Sequence, residues 1–521
     1  MVLNQKSALP EKANEGLQEG SQSIGTYNVG YPESLTIHLP ENLDLEEIIR
    51  NNPPVGIPAF HIDNVKYILH LINYLPSVKK DYNSSEYSGY VPINKQKLQR
   101  SGIYHYRKYL NYLLGLGIIW EDEYYINGEK SKGIRFPEEY TYCRIKKDKI
   151  TKRHLIKAII NNSIKKNNDT TEEQLPYLTR WWNSGNLEID YEPTLQFLDE
   201  RFGKSKIELM VKYNLTDEGQ LNKLLEKNMM KKRNKLKIKN PYEQYNTAIQ
   251  VTERLHKKEY LMKVDDTSGR LHTLLTQLNK GLRQFVTFGG QKLVSIDLRN
   301  SQPLLAVVLL NSELFKRYPL LMETILRYNP VHRSSPTMLV NSIYRNQSKP
   351  DVLNYVRIVS EGLYYEKFGS ILQEKGITLT DTSDVRKSAK IATYASFFAS
   401  NLHSGYIEAM KHFKEVFPSV YYIFSRVKYN PKGVKVKEKR HRALSITLQA
   451  FEADLFLNKI CKRISDTYPD APLFTIHDSV VTTLEYQQVV QDIVKDEIHK
   501  AINIVPVLNI EKWELEESKG E

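Results

Sequence analysis
An α+β fold in more than one domain is the architecture this sequence predicts, and three observations predict it. Residues 474–483, FTIHDSVVTT, place β-branched and aromatic residues on both sides of His477, Asp478 and Ser479, the composition of a strand pair. Residues 292–310, KLVSIDLRNSQPLLAVVLL, read as a short apolar strand ending at Asp297, a turn over Arg299, Asn300 and Ser301, and an apolar helix opened by Pro303. Helical spacing recurs elsewhere, as at 60–75, 104–114 and 386–398. A chain of 521 residues also exceeds one compact core, so about two to four domains are expected.

Composition narrows the class. Charged residues make up 26% and hydrophobic residues 40%, a globular balance rather than a disordered one. Lys and Arg number 74 against 61 Asp and Glu, and the net charge of +13 favours a polyanionic partner. Tyrosine occurs 34 times and supplies stacking faces for bases as well as core packing. Cys143 and Cys461 are too few and too far apart for a disulfide framework or a Cys-ligated zinc site. No run approaches the roughly 18 consecutive apolar residues of a membrane span. The N-terminus lacks an apolar signal core. A cytoplasmic, reducing location with no membrane partner is therefore expected.

Residues 1–55 read as a polar tail and lead-in, the first 30 rich in Gly, Ser, Asn and Gln. Residues 56–145 form the next unit. Val65, Ile68, Leu69, Ile72 and Leu75 keep helical spacing. After a polar loop come a short helix at 95–100, a turn at Ser101-Gly102 and a longer helix over 104–114, with Tyr106, Leu110, Leu113 and Leu114 on one face. Gly115 and Gly117 stop it. Strand-like runs at 124–126 and 133–136 flank Asn127-Gly128, a hairpin signal. Helix, turn, helix and hairpin resemble a winged helix. His105, Arg107, Lys108 and Asn111 on the second helix, with Lys130, Lys132 and Arg135 on the wing, suit phosphate contact and groove entry. A protein-interaction module with solvated charges is the alternative. Residues 146–260 read as mainly helical. Their run MMKKRNKLKIK at 229–239 is either a solvated face or a track for a nucleic-acid backbone.

The chemistry is expected beyond residue 260. A carboxylate at a hairpin tip, Asp478, and one at a strand end, Asp297, could together bridge two Mg2+ ions about 3.5–4 Å apart. The alternatives are a turn Asp bonded to its own backbone at Asp478 and a helix N-cap at Asp297. Pro303, six positions on, is far for a cap. Arg386, Lys390, Tyr394 and Phe398 are four apart and share one helix face. Two cations followed by two aromatics suit a nucleotide, the cations on the triphosphate and the rings beside sugar and base. An amphipathic helix with a snorkelling Lys is the alternative. Asp266-Thr267-Ser268-Gly269-Arg270-Leu271 precedes Asp297, and Leu448-Gln449-Ala450-Phe451-Glu452-Ala453-Asp454-Leu455 begins a helix leading to the His477-Asp478 hairpin.

These pieces, in this order, resemble the family A DNA polymerases, the bacterial polymerase I type. The family's T/D-x-x-G-R element is matched by 266–270, and its metal-binding motif A Asp by Asp297. Its motif B helix, R-x-x-x-K-x-x-x-F/Y-x-x-x-Y-G, is matched by Arg386, Lys390, Tyr394 and Phe398. The Gln before motif C is matched by Gln449, and the His-Asp of His-Asp-Glu by His477 and Asp478. The resemblance spans about 264–483. It implies a right-hand polymerase: a palm with an antiparallel sheet at 261–312 and 416–521, helical fingers at 313–415, and a thumb-like 146–260, behind the N-terminal winged-helix domain.

The resemblance further implies primer–template DNA and nucleoside triphosphates as partners, and two Mg2+ ions, or Mn2+, held by Asp297 and Asp478. Lys390 and Arg386 would neutralise the triphosphate, and Tyr394 and Phe398 would line its site. Arg270, Gln449 and His477, with Arg107, Lys108 and Lys132 of the winged unit, would contact DNA. The chain also departs from the family. No Glu follows Ser301-Gln302, where the family screens the sugar's 2′ position. Ser479 replaces the motif C Glu, as in the related single-subunit phage RNA polymerases, and Phe398-Ala399 replaces Tyr-Gly. The gap of 27 residues from Arg270 to Asp297 is the DNA polymerase arrangement. No acidic cluster suggests a proofreading exonuclease. An RNA polymerase or primase on the same palm, and a non-catalytic replication initiator, stay open. Recruitment to an origin of a phage or mobile element is the expected use of the winged unit.

Overall fold
The computed structural model describes residues 31–78, 89–122, 132–163, 165–229, 238–377, 379, 384–401, 406–429 and 440–514. The expected hairpin tip Asn127-Gly128, Lys130 and most of the basic run 229–239 lie outside them.

The architecture is α+β, with strands in antiparallel pairs. Two large hydrophobic cores organise it. The first is built on β1 (Leu35–Pro40), β2 (Val91–Pro92), β3 (Trp120–Glu121), β4 (Gly133–Arg135) and β5 (Ile145–Ile150). β1 and β5 pair from Leu35↔Ile150 to Pro40↔Ile145, and β2, β4 and β3 form a second small sheet in that order. Between β2 and β3 run the helices Lys95–Arg100 and Tyr106–Gly115. Asn94 caps the first by accepting from the Gln96 N–H at 2.8 Å. Gly117, at φ +69°, supplies the left-handed turn that ends the second. The helix Ile62–Val78 lies across this unit and buries Val65, Ile68, Leu69 and Ile72.

Residues 35–51 depart from the polar lead-in read from sequence. They form β1 and the helix Leu45–Asn51, and bury Ile37, Leu39, Leu43 and Leu45. Leu35, Ile37 and Leu39 alternate with polar residues, the period of a half-buried strand, within an otherwise polar stretch.

The second core carries a six-stranded sheet. Its strands are β6 (Leu187–Ile189), β9 (Val286–Phe288), β10 (Gln291–Leu298), β11 (Phe474–Ile476), β12 (Ser479–Thr483) and β13 (Leu508–Lys512). β7 (Lys263–Val264) and β8 (Leu271–His272) form a separate hairpin. β10 lies between β12 and β13, with Asp297 opposite Ser479 on one side and Asn509 on the other. Leu293, Val294, Ile296, Val480 and Val481 are fully buried, so both faces of the central strands are covered. Burial of side chains of this size stabilises by about 1.5–3 kcal/mol each.

Helices cover the sheet. Ala443–Ala453 runs through a π-helical turn at Asp454–Cys461 into Lys462–Thr467. Residues 146–260 are mainly helical, and their Trp182 and Leu255 enter the large core together with β6. Trp182 packs edge-on to Phe474 at 5.3 Å.

Candidate functional site
Asp297 sits near the end of β10, and the helix after it starts at Ser301. Asn300, at φ +54°, forms the N-cap, so Pro303 is the third helical residue rather than the first. A proline is tolerated there because first-turn N–H groups have no intrahelical partner. The apolar stretch continues as a 3-10 turn, Ala306–Leu309. Asp478 is the second residue of a two-residue turn, since Ile476 pairs with Ser479. His477 holds a left-handed φ of +55° in that turn, a conformation costing a β-carbon-bearing residue on the order of 1 kcal/mol.

The two carboxylates open into one cleft of about 430 Å3. Its lining also includes Asn300, Gln302, Tyr365, Arg386, Lys390 and Tyr394. The three last come from the helix Val385–Phe398, so the four-residue spacing does deliver cations and an aromatic to one wall. Arg386 Nε lies 3.1 Å from Glu366 Oε1, and Lys390 Nζ sits over the Tyr365 ring at 5.6 Å. Tyr365 is buried, which pushes its phenol well above the ordinary range. The far end of this helix is held by Lys428, whose buried Nζ donates to the carbonyls of Ser396 at 2.5 Å and Ala399 at 3.0 Å. Phe398 does not line the cleft. It packs on Tyr394 at 5.7 Å and on the large core.

Electrostatics mark the carboxylates. Burial pushes the Asp297 carboxyl up to about 7, with the Asp478 charge adding to the shift and Arg283 opposing it. Burial also raises Asp478, while a Ser301 hydrogen bond and Arg270 pull it down. Arg283 lies 3.6 Å from Glu511 on β13 and stacks over Trp513 at 5.6 Å.

Sequence reading passed over Glu452. Its side chain is buried on the helix Ala443–Ala453. It accepts hydrogen bonds from Arg270 Nη2, from Gln302 Nε2, and from Ser301 Oγ at 3.3 Å. Burial, then Asp478, pushes its carboxyl up to about 7 against the pull of Arg270. The one signal in the sequence was an acid among Leu448, Phe451 and Leu455. Gln449, three residues earlier on the same helix, is half-buried.

The loop before Arg270 is organised by Asp265, also unmarked in the sequence. Its carboxylate accepts from the N–H groups of Thr267 at 2.8 Å, Ser268 at 2.7 Å and Arg270 at 3.0 Å. Burial raises this carboxyl, but His272 and those N–H groups outweigh burial and hold it well below the usual range. Gly269, at φ +71°, completes the turn. His477 meets His272 nearly edge-on, ring centres 6.0 Å apart.

The N-terminal cations lie in the other core unit. Arg107 and Lys132 converge on Glu121, Arg107 through both carboxylate oxygens at 2.5 and 3.1 Å and Lys132 at 3.3 Å. Lys108 Nζ donates to the Gly56 carbonyl at 2.8 Å.

Among the described residues no group of three or more His, Cys, Asp or Glu side chains is arranged to hold a metal ion. Asp297 and Asp478 are two. Nor is any helix, among those residues, long and apolar enough to cross a membrane.

No protein-family model matches the chain, and no curated protein matches it. Among the solved structures that it resembles is the "POL domain of Pol1 from M. smegmatis" in complex with DNA primer-template and dNTP, at a TM-score of 0.37 and 13% identity. The overlap covers 69% of this chain and 73% of that one. A likeness so distant carries no weight on function, which has to come from the residues themselves.

Proposed function
We propose that the chain is a template-directed nucleotidyltransferase, a DNA polymerase that extends a primer 3′-hydroxyl without a proofreading exonuclease. The observation that carries this reading is the single cleft in which Asp297 and Asp478 share walls with Arg386, Lys390 and Tyr394. Carboxylates beside cations and an aromatic ring suit a nucleoside triphosphate and the metal that accompanies it. On this reading the six-stranded sheet is a palm, 313–415 are fingers and 146–260 resemble a thumb. The N-terminal order of helix, strand, two helices and two strands is a winged helix that contacts DNA through Arg107, Lys108 and Lys132.

Asp297 and Asp478 fit Mg2+, which takes oxygen ligands, keeps few protein carboxylates and completes its shell with phosphate and water. Their raised proton affinity supports the fit, because repulsion between buried carboxylates is relieved by a cation. Two such ions, when bound, activate the attacking hydroxyl and steady the leaving pyrophosphate. The rest falls to the chain's own side chains. Arg386 exchanges Glu366 for the triphosphate. That exchange is easy, because a half-exposed ion pair is worth only about 0–1 kcal/mol. Lys390 gives a proton to the departing pyrophosphate, and Tyr394 packs beside sugar and base. Arg270 and Gln449 hold the duplex near the growing end, and His477 meets the primer-terminal phosphate.

A ribonucleotide polymerase or primase is the second reading, favoured by Ser479 and by the lack of a carboxylate after Gln302. Primer extension with dNTPs against NTPs separates the readings. Asp297→Ala and Asp478→Ala should each lower incorporation at least about 100-fold. Wild-type protein that incorporates neither substrate would leave a non-catalytic, DNA-binding initiator.

A further inference from the structure
We propose that Glu452 is a positioning residue for nucleotidyl transfer: from a different helix, it supplies the carboxylate that holds Arg270 and Gln302 in place. The inference rests on the function proposed above and goes beyond it. Both oxygens of Glu452 are engaged. Oε1 accepts from Arg270, in the loop that leads to β8, and Oε2 accepts from Ser301 and Gln302, the first residues of the helix that follows β10. The β11–β12 hairpin meets β10 directly, where the Leu298 N–H donates to the Asp478 carbonyl at 3.3 Å. One buried carboxylate thus ties two of the segments that carry the site, the loop ending at Arg270 and the start of the helix after β10, beside the β11–β12 hairpin.

The tie sets the direction of an amide. The Gln302 Nε2 donates to Glu452 Oε2, and its Oε1 faces away. Gln302 lines the cleft, and its buried Oε1 has no hydrogen-bond partner among the described residues. The buried Nδ2 of Asn300, also in the cleft wall, has none either. A buried acceptor and a buried donor left open in a nucleotide-sized cleft are partners for a bound molecule. Both stand in the stretch that directly follows Asp297, so the sugar beside the α-phosphate is the part of the nucleotide they would meet. Without Glu452 the amide of Gln302 is free to turn over, and Arg270 loses its anchor.

Glu452 and Arg270 form an inward-facing ion pair, and neutralising one partner leaves the other charge without compensation. Replacement by a neutral residue of the same shape therefore lowers stability as well, and turnover is read per folded molecule. Glu452→Gln, Glu452→Asp, Gln302→Leu and the double variant Glu452→Gln/Gln302→Leu are compared by primer extension and by thermal melting. Glu452→Gln is expected to lower kcat/KM for the incoming nucleotide by about 10- to 100-fold, the cost of a misplacement near 1 Å. Its melting temperature should fall, while the loss of kcat/KM persists per folded molecule. Glu452→Asp should recover part of the loss, and the double variant should lose less than the two single losses combined, because Glu452 acts in part through Gln302. Unchanged kcat/KM in Glu452→Gln, or fully additive losses in the double variant, would overturn the inference. So would a lower melting temperature with normal turnover per folded molecule, the mark of a merely structural group. A wild type with no incorporation overturns the function itself and this inference with it, whereas an active wild type with an indifferent Glu452 overturns the inference alone.

Discussion
At the scale of single residues, the site is a place where carboxyls are held closer to protonation than usual. Asp297 and Glu452 are both pushed up to about 7, chiefly by burial, and Asp478 is raised for the same reason. Each folded value lies above an unfolded value of about 4. Such groups give their full stability below pH 4 and lose it as pH rises through 7. In metal-free protein the melting transition of the unit that carries these groups is therefore predicted to lie lower at pH 8 than at pH 6, with saturating Mg2+ recovering the difference at pH 8. Asp297→Asn should flatten the slope and abolish the Mg2+ response. Thermal melts of both proteins, with and without Mg2+, check this, and a wild-type melting temperature indifferent to Mg2+ at pH 8 would count against it. The aspartates and the 386-390-394 face were legible because strand, turn and helix signals are local. Glu452 was not, because a lone acid in an apolar helix gains its meaning only from Arg270 and Gln302, which are remote in sequence. The Arg386–Glu366 pair was hidden for the same reason. Phe398 had the right spacing and still turned inward, because a helix face four residues apart drifts around the axis and the last position meets the core.

At the scale of elements, the N-terminal helix pair and its strands show how a basic surface is restrained. The helix Tyr106–Gly115 contributes Arg107, the chain entering β4 contributes Lys132, and β3 sets Glu121 between them. Burial raises the Glu121 carboxyl, but Arg107 and Lys132 outweigh it and hold it below the ordinary range. Two cations that share one anion present less positive charge to a phosphate than two free ones. Glu121→Gln is therefore predicted to tighten duplex DNA binding and to steepen its salt dependence, by up to about 0.9 in the log–log slope for each additional phosphate neutralised. Arg107→Ala and Lys132→Ala should each shift the slope the opposite way. Titrations of fluorescent duplex between 50 and 200 mM salt, roughly the range over which such binding is lost, measure both effects. Equal slopes in wild type and Glu121→Gln would rule out this face as a DNA contact. The helices here could be read from periodicity and stop signals. The pairing of β1 with β5 could not, since register between strands separated by the whole unit is not written in either strand alone. The same holds for β6 and β13, short strands that join the large sheet from opposite ends of the second unit.

At the scale of the whole molecule, two hydrophobic cores meet through a largely polar seam. Gln250 Nε2 donates to the Asn73 carbonyl at 3.1 Å, the Ile145 N–H donates to Asn246 Oδ1 at 3.2 Å, and Lys147 pairs with Glu253 at 2.9 Å. Seams of this kind let units unfold separately. The two cores also answer acid in opposite directions. In the first, burial lowers His38 to about 4 and His70 to about 3, and the His70 Nδ1 accepts from the His38 N–H at 3.1 Å, so it must be unprotonated. Both values lie below the unfolded 6.5, so their stability is complete above pH 6.5 and drains away as pH falls toward 4. A tenfold change in a group's proton affinity on folding is worth about 1.4 kcal/mol, enough to move the melting of one core by several degrees. In the second core, Asp297 and Glu452 gain stability over the same descent. Calorimetry of metal-free protein is predicted to show the transition of the first core falling between pH 7 and pH 5 while that of the second rises. His70→Asn keeps an oxygen that can accept from the His38 N–H but cannot titrate. It should hold the first transition nearer its pH 7 position and leave the second as it was. Transitions that move together in the wild type would mean the seam couples the cores into a single cooperative unit.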